Sequence, residues 1–178
     1  MAIKQRDLRS AATRTPRVVI AKSLNEALSK SHQTAFLCHS HKDKALVNGL
    51  QNLLNENGWN LYIDWLDEEL PASPDKNTAS NIKNKIGQLN WFLFLATANS
   101  TDSRWCPWEI GYADAVKKHE NILIIPTEDD SGRWHGNEYL QLYRQITDAS
   151  NQTTKKSGYA VFDPKSNQGG TWIENLKY

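Results

Sequence analysis

Between residues 34 and 126 the chain alternates short apolar runs with longer stretches in which apolar residues recur every three or four positions. TAFLCHS (34–40), WNLYID (59–64), LNWFLFLA (89–96) and ILIIP (122–126) have the length and content of buried strands. Residues 44–57 carry Leu46, Leu50, Leu53 and Leu54 at helical spacing, with Asp43 as a cap before them and Asn57-Gly58 as a stop. Residues 78–88 place Ile82, Lys85 and Ile86 on one stripe and predict a second helix. A third opens at Ser103 or a neighbour, because Pro107 is admissible only in a first turn, and it closes on the cations Lys117, Lys118 and His119. WLDEELPASPDKN (65–77) is a polar loop broken by Pro71 and Pro74.

Past Thr127 the pattern is less regular. EDDSGRWHGN (128–137) reads as a loop, residues 138–148 as a helix, GYAVFDP (158–164) as a fifth strand and residues 171–176 as a short terminal helix. Alternating strands and helices imply an α/β fold, a central parallel five-stranded sheet with helices on both faces. Ligands of such sheets bind outside the carboxyl ends of the strands. That rule gathers residues 39–43, 64–77 and 98–109 around one crevice.

Composition narrows the function classes. Lys and Arg number 21 against 20 Asp and Glu, a formal charge of +1, so no global field draws nucleic acid and no nucleic-acid partner is expected. No run approaches the roughly 18 apolar residues of a membrane span, so no membrane partner is expected either. Seven tryptophans in 178 residues must pack, stack or meet a partner. Cys38 and Cys106 form no CxxC and no zinc spacing, which reads as reduced thiols in a cytoplasmic protein with no metal site. Residues 1–33 carry seven Lys and Arg against Asp7 and Glu26. This acid-poor stretch overlaps organellar transit peptides in composition, and a basic, partly flexible arm is the simpler reading.

The chemistry concentrates in SRWCPWEIGYADA (103–115), where Glu109 stands among tryptophans in the first turns of a helix. A helix start favours an ionised carboxylate, which suits both a surface glutamate satisfying the dipole and a pocket acid acting on a developing cation. Ser103 and Trp105 flank it. In HSHKD, Ser40, His41 and Lys42 can meet a pyrophosphate through a hydroxyl, amides and an ammonium, while Asp43 caps the helix. His39 and His41 lack a carboxylate or cysteine at ligand spacing, so no metal is assigned to them. Asp64 can hold ribose or merely end its strand. Phe36, Trp65 and Trp105 are candidates to stack on a nicotinamide or adenine ring. Cys106 can be read as an activated thiol or, more simply, a packed one. Trp108 and Tyr112 are assigned to the core.

FLCHSHKDK, LYIDW and SRWCPWEIGYADA, taken in order, resemble the Toll/interleukin-1 receptor (TIR) domain, especially its bacterial members. The resemblance covers about residues 34–126, with residues 159–176 completing the domain. It makes residues 34–178 a flavodoxin-like TIR domain with an irregular insertion at about 127–157, preceded by a basic extension over 1–33. ELPASPD replaces the Pro-Gly centre common in the loop after the second strand. The family divides into adaptors and enzymes that cleave NAD at the nicotinamide–ribose bond, some cyclising the product, many in antiphage defence of the Thoeris kind. By this resemblance Glu109 matches the required glutamate, His39 to Asp43, Asp64, Trp65, Ser103, Trp105 and Phe36 surround the substrate, and NAD is substrate rather than cofactor. Self-association through TIR surfaces and a separate effector sensing the product are also implied.

The chemistry agrees with a lone carboxylate. Breaking the bond to a pyridinium leaving group develops oxocarbenium character on ribose, which a carboxylate stabilises, and nicotinamide leaves neutral without a proton donor. Two other classes stay open. One is a non-catalytic TIR interaction module. The other is a nucleoside deoxyribosyltransferase-like enzyme, distinguished by base exchange with free nucleosides.

Overall fold

The apolar runs pair with one another as the periodicity predicts. The computed structural model of the chain describes residues 1–15, 21, 23–59, 61–64, 76–136, 138–164, 166 and 168–178. In chain order the first elements are β1 (Ile3–Lys4), α1 (Gln5–Ala12), α2 (Leu24–Ser29), β2 (Gln33–Cys38), α3 (Lys44–Glu56), β3 (Leu61–Asp64) and α4 (Lys76–Gln88). Then come β4 (Trp91–Ala96), α5 (Ala98–Thr101), α6 (Cys106–Val116), β5 (Ile122–Glu128), β6 (Trp134–His135), β7 (Arg144–Ser150), β8 (Ser157–Phe162) and β9 (Thr171–Trp172). The sheet runs β3-β2-β4-β5-β7-β8-β9, parallel as far as β7, with β8 and β9 antiparallel.

A strand buried on both faces needs no polar alternation, and WFLFLA in β4 is buried at every position. Its residues divide between two cores. Leu93 and Leu95 join Leu37, Leu123 and Ile125 on the face covered by α3 and α1. Phe92, Phe94 and Ala96 join Cys38, Ile122 and Ile124 under α4 and α6, through Ile82, Ile86, Ile110 and Ala113.

Three expectations are corrected. The predicted helix over 138–148 is a 3-10 turn, Glu138–Leu142, followed by β7, which takes the fifth place in the parallel sheet. Leu140, Tyr143 and Ile146 recur at intervals of three and imitate a helix, but Ile146 lies in one core while Leu140 and Tyr143 lie in the other. The strand predicted at 158–164 exists as β8 and pairs antiparallel to β7. The predicted terminal helix is β9 plus the 3-10 turn Ile173–Asn175.

The third concerns the amino-terminal arm, whose residues 1–12 are built into the domain. β1 pairs in parallel with β5 at Thr127 and Glu128, and the Met1 ammonium donates to the Asp148 carbonyl at 3.2 Å. Ile3, Leu8 and Ala11 are fully buried. Asn52 of α3 donates to the carbonyls of Ala11 and Arg14 at 3.0 and 2.9 Å. Basic residues of the stretch find acids on the domain, Arg9 with Asp130 and Arg14 with Glu56.

Candidate functional site

β2 ends at Cys38 and the chain turns through Ser40 into a 3-10 turn, His41–Asp43, that leads directly into α3. Ser40 is buried and its hydroxyl accepts from the Lys42 amide at 3.4 Å. The His39 ring contacts the Leu37 carbonyl at 3.0 Å through Nδ1, and His41 and Lys42 are exposed. Asp43 stands at the start of α3 but does not cap it with its side chain. Its carboxyl oxygens instead accept from the Thr97 hydroxyl at 2.6 Å and the Asn99 amide at 2.7 Å. Thr97 and Ser100 form a reciprocal capping box at α5. Asp43, expected to contact substrate, is 4% exposed and braces the loops after β2 and β4. Asp43→Ala strands the buried Thr97 hydroxyl, at a cost of about 1–3 kcal/mol, and the half-buried Asn99 amide, at less. It is expected to lower the urea midpoint clearly, with Asp43→Asn intermediate.

The loop after β4 carries Ser103, whose hydroxyl accepts from the amides of Trp105 and Cys106 at 3.2 and 3.3 Å. It thereby satisfies open donors at the start of α6. Pro107 needs no partner there, and the Glu109 amide makes the helical bond to the Trp105 carbonyl at 2.9 Å. Position 109 then faces inward with Cys106, because residues three apart share a helix face. Cys106 and Glu109 are 1% and 5% exposed. Across from them stands Cys38, fully buried, with its sulfur 3.8 Å from the Cys106 carbonyl oxygen. The two sulfurs and a Glu109 carboxyl oxygen all lie within 4.8 Å of one another.

This environment reverses the expected ionisation. The helix dipole favours a carboxylate, but burial dominates and pushes the Glu109 carboxyl from an ordinary 4.5 up to about 7. A hydrogen bond from Cys38 offsets only part of that rise. Burial likewise pushes the Cys38 thiol well up. Tyr139, in the 3-10 turn after β6, is raised by burial and by its neighbours Cys38 and Cys106. The stretch read as an insertion contributes Leu140 and Tyr143 to the same core cluster as Cys38 and Cys106, a contribution with no signal in the sequence. Cys38 did carry one, since it ends a strand at the edge where ligands of such sheets bind.

Phe36, expected to stack on a substrate ring, lies inside the core. It is 3% exposed and stacks on Phe92 at 5.8 Å inside the core, so it has no open face. Trp105 is half-buried and meets Trp108 edge-on at 5.5 Å. Of the two rings assigned to the core from the sequence, Tyr112 is half-buried and packs against it, whereas Trp108 lies at the surface. Their rings stack at 6.2 Å, Lys83 reaches over both, and Trp108 is 36% exposed. Asp64 ends β3 opposite Phe36 in the sheet register. Trp65 and the loop to Asp75 lie outside the described residues. A cavity of about 540 Å³ near Pro126, Trp134, Gln145 and Asp148 holds none of the predicted residues.

The family model described as "TIR domain" matches residues 35–157. That match runs through the stretch the sequence left unassigned after Thr127. The chain is 34% identical over 113 residues to a Bacillus cereus (strain MSX-D12) protein named as a probable 3' cyclic ADP-D-ribose synthase, ThsB', covering 62% of this chain and 58% of that protein. It is 27% identical over 113 residues to a Cytobacillus dafuensis protein that bears the name "Putative cyclic ADP-D-ribose synthase TIR2", covering 60% of this chain and 28% of that one. The matched segment thus spans less than two thirds of either relative's own length.

Proposed function

The chain belongs to the TIR domain family, and from that premise we propose that it cleaves NAD at the nicotinamide–ribose bond and closes the ADP-ribose into a cyclic signal. The observation that carries the reading is Glu109. It is an inward-facing carboxylate opening α6, beside the carboxyl end of β2, in a chain similar to two proteins named as cyclic ADP-D-ribose synthases. In the ground state the buried acid is poorly solvated. As nicotinamide departs, positive charge grows on the ribose and finds a carboxylate with little water around it, where an electrostatic interaction is strongest. Trp105, half-buried one turn before Glu109, is placed to cover a ring of the substrate. Ser103 positions that turn rather than binding substrate, and the exposed His41 and Lys42 are available to meet phosphates.

NAD is the substrate and no cofactor is required. The protein acts in the cytoplasm, where NAD and reduced thiols are both available, and its product serves a separate effector in antiviral defence. Self-association is part of the reading, and the exposed Trp108 ring is the surface to vary in testing it.

The experiment is to incubate the purified protein at high concentration with NAD and follow nicotinamide and ADP-ribose products by chromatography and mass spectrometry. Release of nicotinamide with a product lighter than ADP-ribose by one water supports cyclisation. Product at the mass of ADP-ribose supports hydrolysis, and no turnover at any protein concentration would overturn the reading. A pH profile adds a second check. The catalytic form is ionised, so kcat/KM should fall about tenfold per pH unit below an inflection near pH 7 and level off above pH 8. The bound pyridinium favours the carboxylate, so kcat should break at lower pH than kcat/KM. An inflection of kcat/KM near 4.5 would show a solvated acid.

A further inference from the structure

We propose that Cys38, Cys106 and Glu109 form a capture site for a thiophilic divalent cation of the zinc class, and that the bound ion takes the Glu109 carboxylate out of use. The binding claim stands on geometry alone; the inhibition rests on the function proposed above.

The three donor atoms lie within 4.8 Å of one another, and all three residues are 5% exposed or less. A tetrahedral zinc with Zn–S near 2.3 Å and Zn–O near 2.0–2.2 Å holds its sulfurs about 3.8 Å apart and a sulfur and oxygen about 3.5 Å apart. The cluster needs to contract by at most about 1.3 Å to reach those separations, a movement within the reach of side-chain torsions. The scaffold already orients the donors. Cys38 is fixed at the end of a central strand, and Cys106 and Glu109 sit three residues apart on one helix face. Two sulfurs and one oxygen select a soft or borderline ion and disfavour magnesium and calcium, which take oxygen sets. Three protein donors leave a fourth position for water, the arrangement of an open zinc site.

Charge and protons balance. Above the Glu109 titration the cluster holds one carboxylate and two protonated thiols, a net charge of −1. Binding Zn²⁺ with loss of both thiol protons to solvent leaves two thiolates, one carboxylate and the ion, again −1. The buried site therefore gains no net charge on metallation, and metal binding releases two protons per ion. With its oxygen on the metal, Glu109 no longer offers a free charge to the ribose. The two cysteines lie 68 positions apart in the chain, so no zinc spacing exists in the sequence to announce the site.

Cobalt(II) is the probe for binding. Added to the reduced full-length protein it should produce the near-ultraviolet thiolate-to-cobalt charge-transfer band and the visible bands of a tetrahedral ion, at one equivalent. Cys38→Ser and Cys106→Ser should each lose at least half of the charge-transfer intensity, with thermal melts confirming that both variants are folded. Glu109→Gln should keep the band and bind cobalt at least tenfold more weakly. No thiolate band in the wild type, or an undiminished band in both serine variants, overturns the site whatever the enzyme does with NAD. In a second arm, zinc should abolish nicotinamide release near one equivalent, and a chelator should restore it. Zinc binding to the thiols with turnover unaffected would overturn the inhibition and leave the proposed function standing. A wild type silent toward NAD without metal would count against the function, while the cobalt spectra still decide the site.

Discussion

Glu109→Gln is expected to lose turnover and to gain stability above pH 7. Removal of one preorganised electrostatic stabiliser costs about 10²- to 10³-fold in kcat, and here the carboxylate is the whole of the proposed charge stabilisation, so the loss should reach or exceed that range. The stability gain follows from the same burial. Glu109 is raised from 4.5 to about 7 in the folded protein, so the neutral form is favoured by the fold and the ionised form is penalised. Below about pH 4.5 the carboxyl is neutral in both folded and unfolded chains and the penalty is absent. It grows by about 1.36 kcal/mol for each pH unit between 4.5 and 7 and is complete above that, at about 3 kcal/mol. Glutamine keeps the shape and never carries the charge. At pH 8 it should melt roughly 5–10 °C higher than the wild type, and at pH 4.5 the difference should vanish. Thermal melts at the two pH values, run beside the nicotinamide assay, read both halves. An inactive variant with equal melting at both pH values would place the glutamate in water. A variant with wild-type activity would remove it from the mechanism.

The second large effect is expected at Gly49, far from the acid. In an exposed helix interior, alanine in place of glycine stabilises by about 0.5–1 kcal/mol. Here the sign reverses. A Cβ on Gly49 would stand 1.8 Å from the Leu8 carbonyl oxygen and 2.5 Å from its carbon. Both are backbone atoms of α1, so no side-chain rotation relieves the contact. The first helix must lift from α3, surrendering the burial of Leu8 and Ala11 and the two hydrogen bonds from Asn52. Gly49→Ala should therefore cost about 3–5 kcal/mol and expose residues 1–15 to proteolysis. Urea unfolding and limited digestion measure it. An alanine variant that melts at or above the wild-type temperature would show that α1 does not dock through this contact.

Asp43 and Glu109 show how differently two acids of similar chain context can be used. Each stands beside the carboxyl end of the sheet at the start of a helix, where a capping role is the natural expectation. The Asp43 oxygens accept from Thr97 and Asn99, a pair of donors 54 and 56 residues away that no local pattern connects to it. Among the described residues Glu109 has the weakly polar Cys38 thiol as its donor, and burial raises its carboxyl further than that bond lowers it. Hydrogen-bond donors within reach distinguish a braced carboxylate from one whose ionisation burial opposes, and sequence proximity to a helix start does not.

The sequence by itself determined the parallel core of this protein and the place of Glu109 in the first turn of a helix. Fully apolar runs such as WFLFLA can be satisfied only by burial on both faces, and the leucine spacing of α3 admits only a helix packed on one side. The SRWCPWE stretch carried Glu109 because the cap, the proline and the acid lie so close in the chain that local spacing determines their geometry. Tertiary structure alone decided the rest. The stretch running into β7 looked helical because Leu140, Tyr143 and Ile146 recur at intervals of three, and periodicity does not record that Ile146 joins one core and the other two the opposite one. The amino-terminal residues read as a basic arm because Ile3, Leu8 and Ala11 are sparse among charges, and only the groove at Gly49 makes them a helix docked in the domain. The pairing of Cys38 with Cys106 and Glu109, and with it the ionisation of the acid, depends on a strand end and a helix start meeting across the fold. Local patterns encode which residues avoid water; desolvation and contact depend on which distant residues arrive to exclude it.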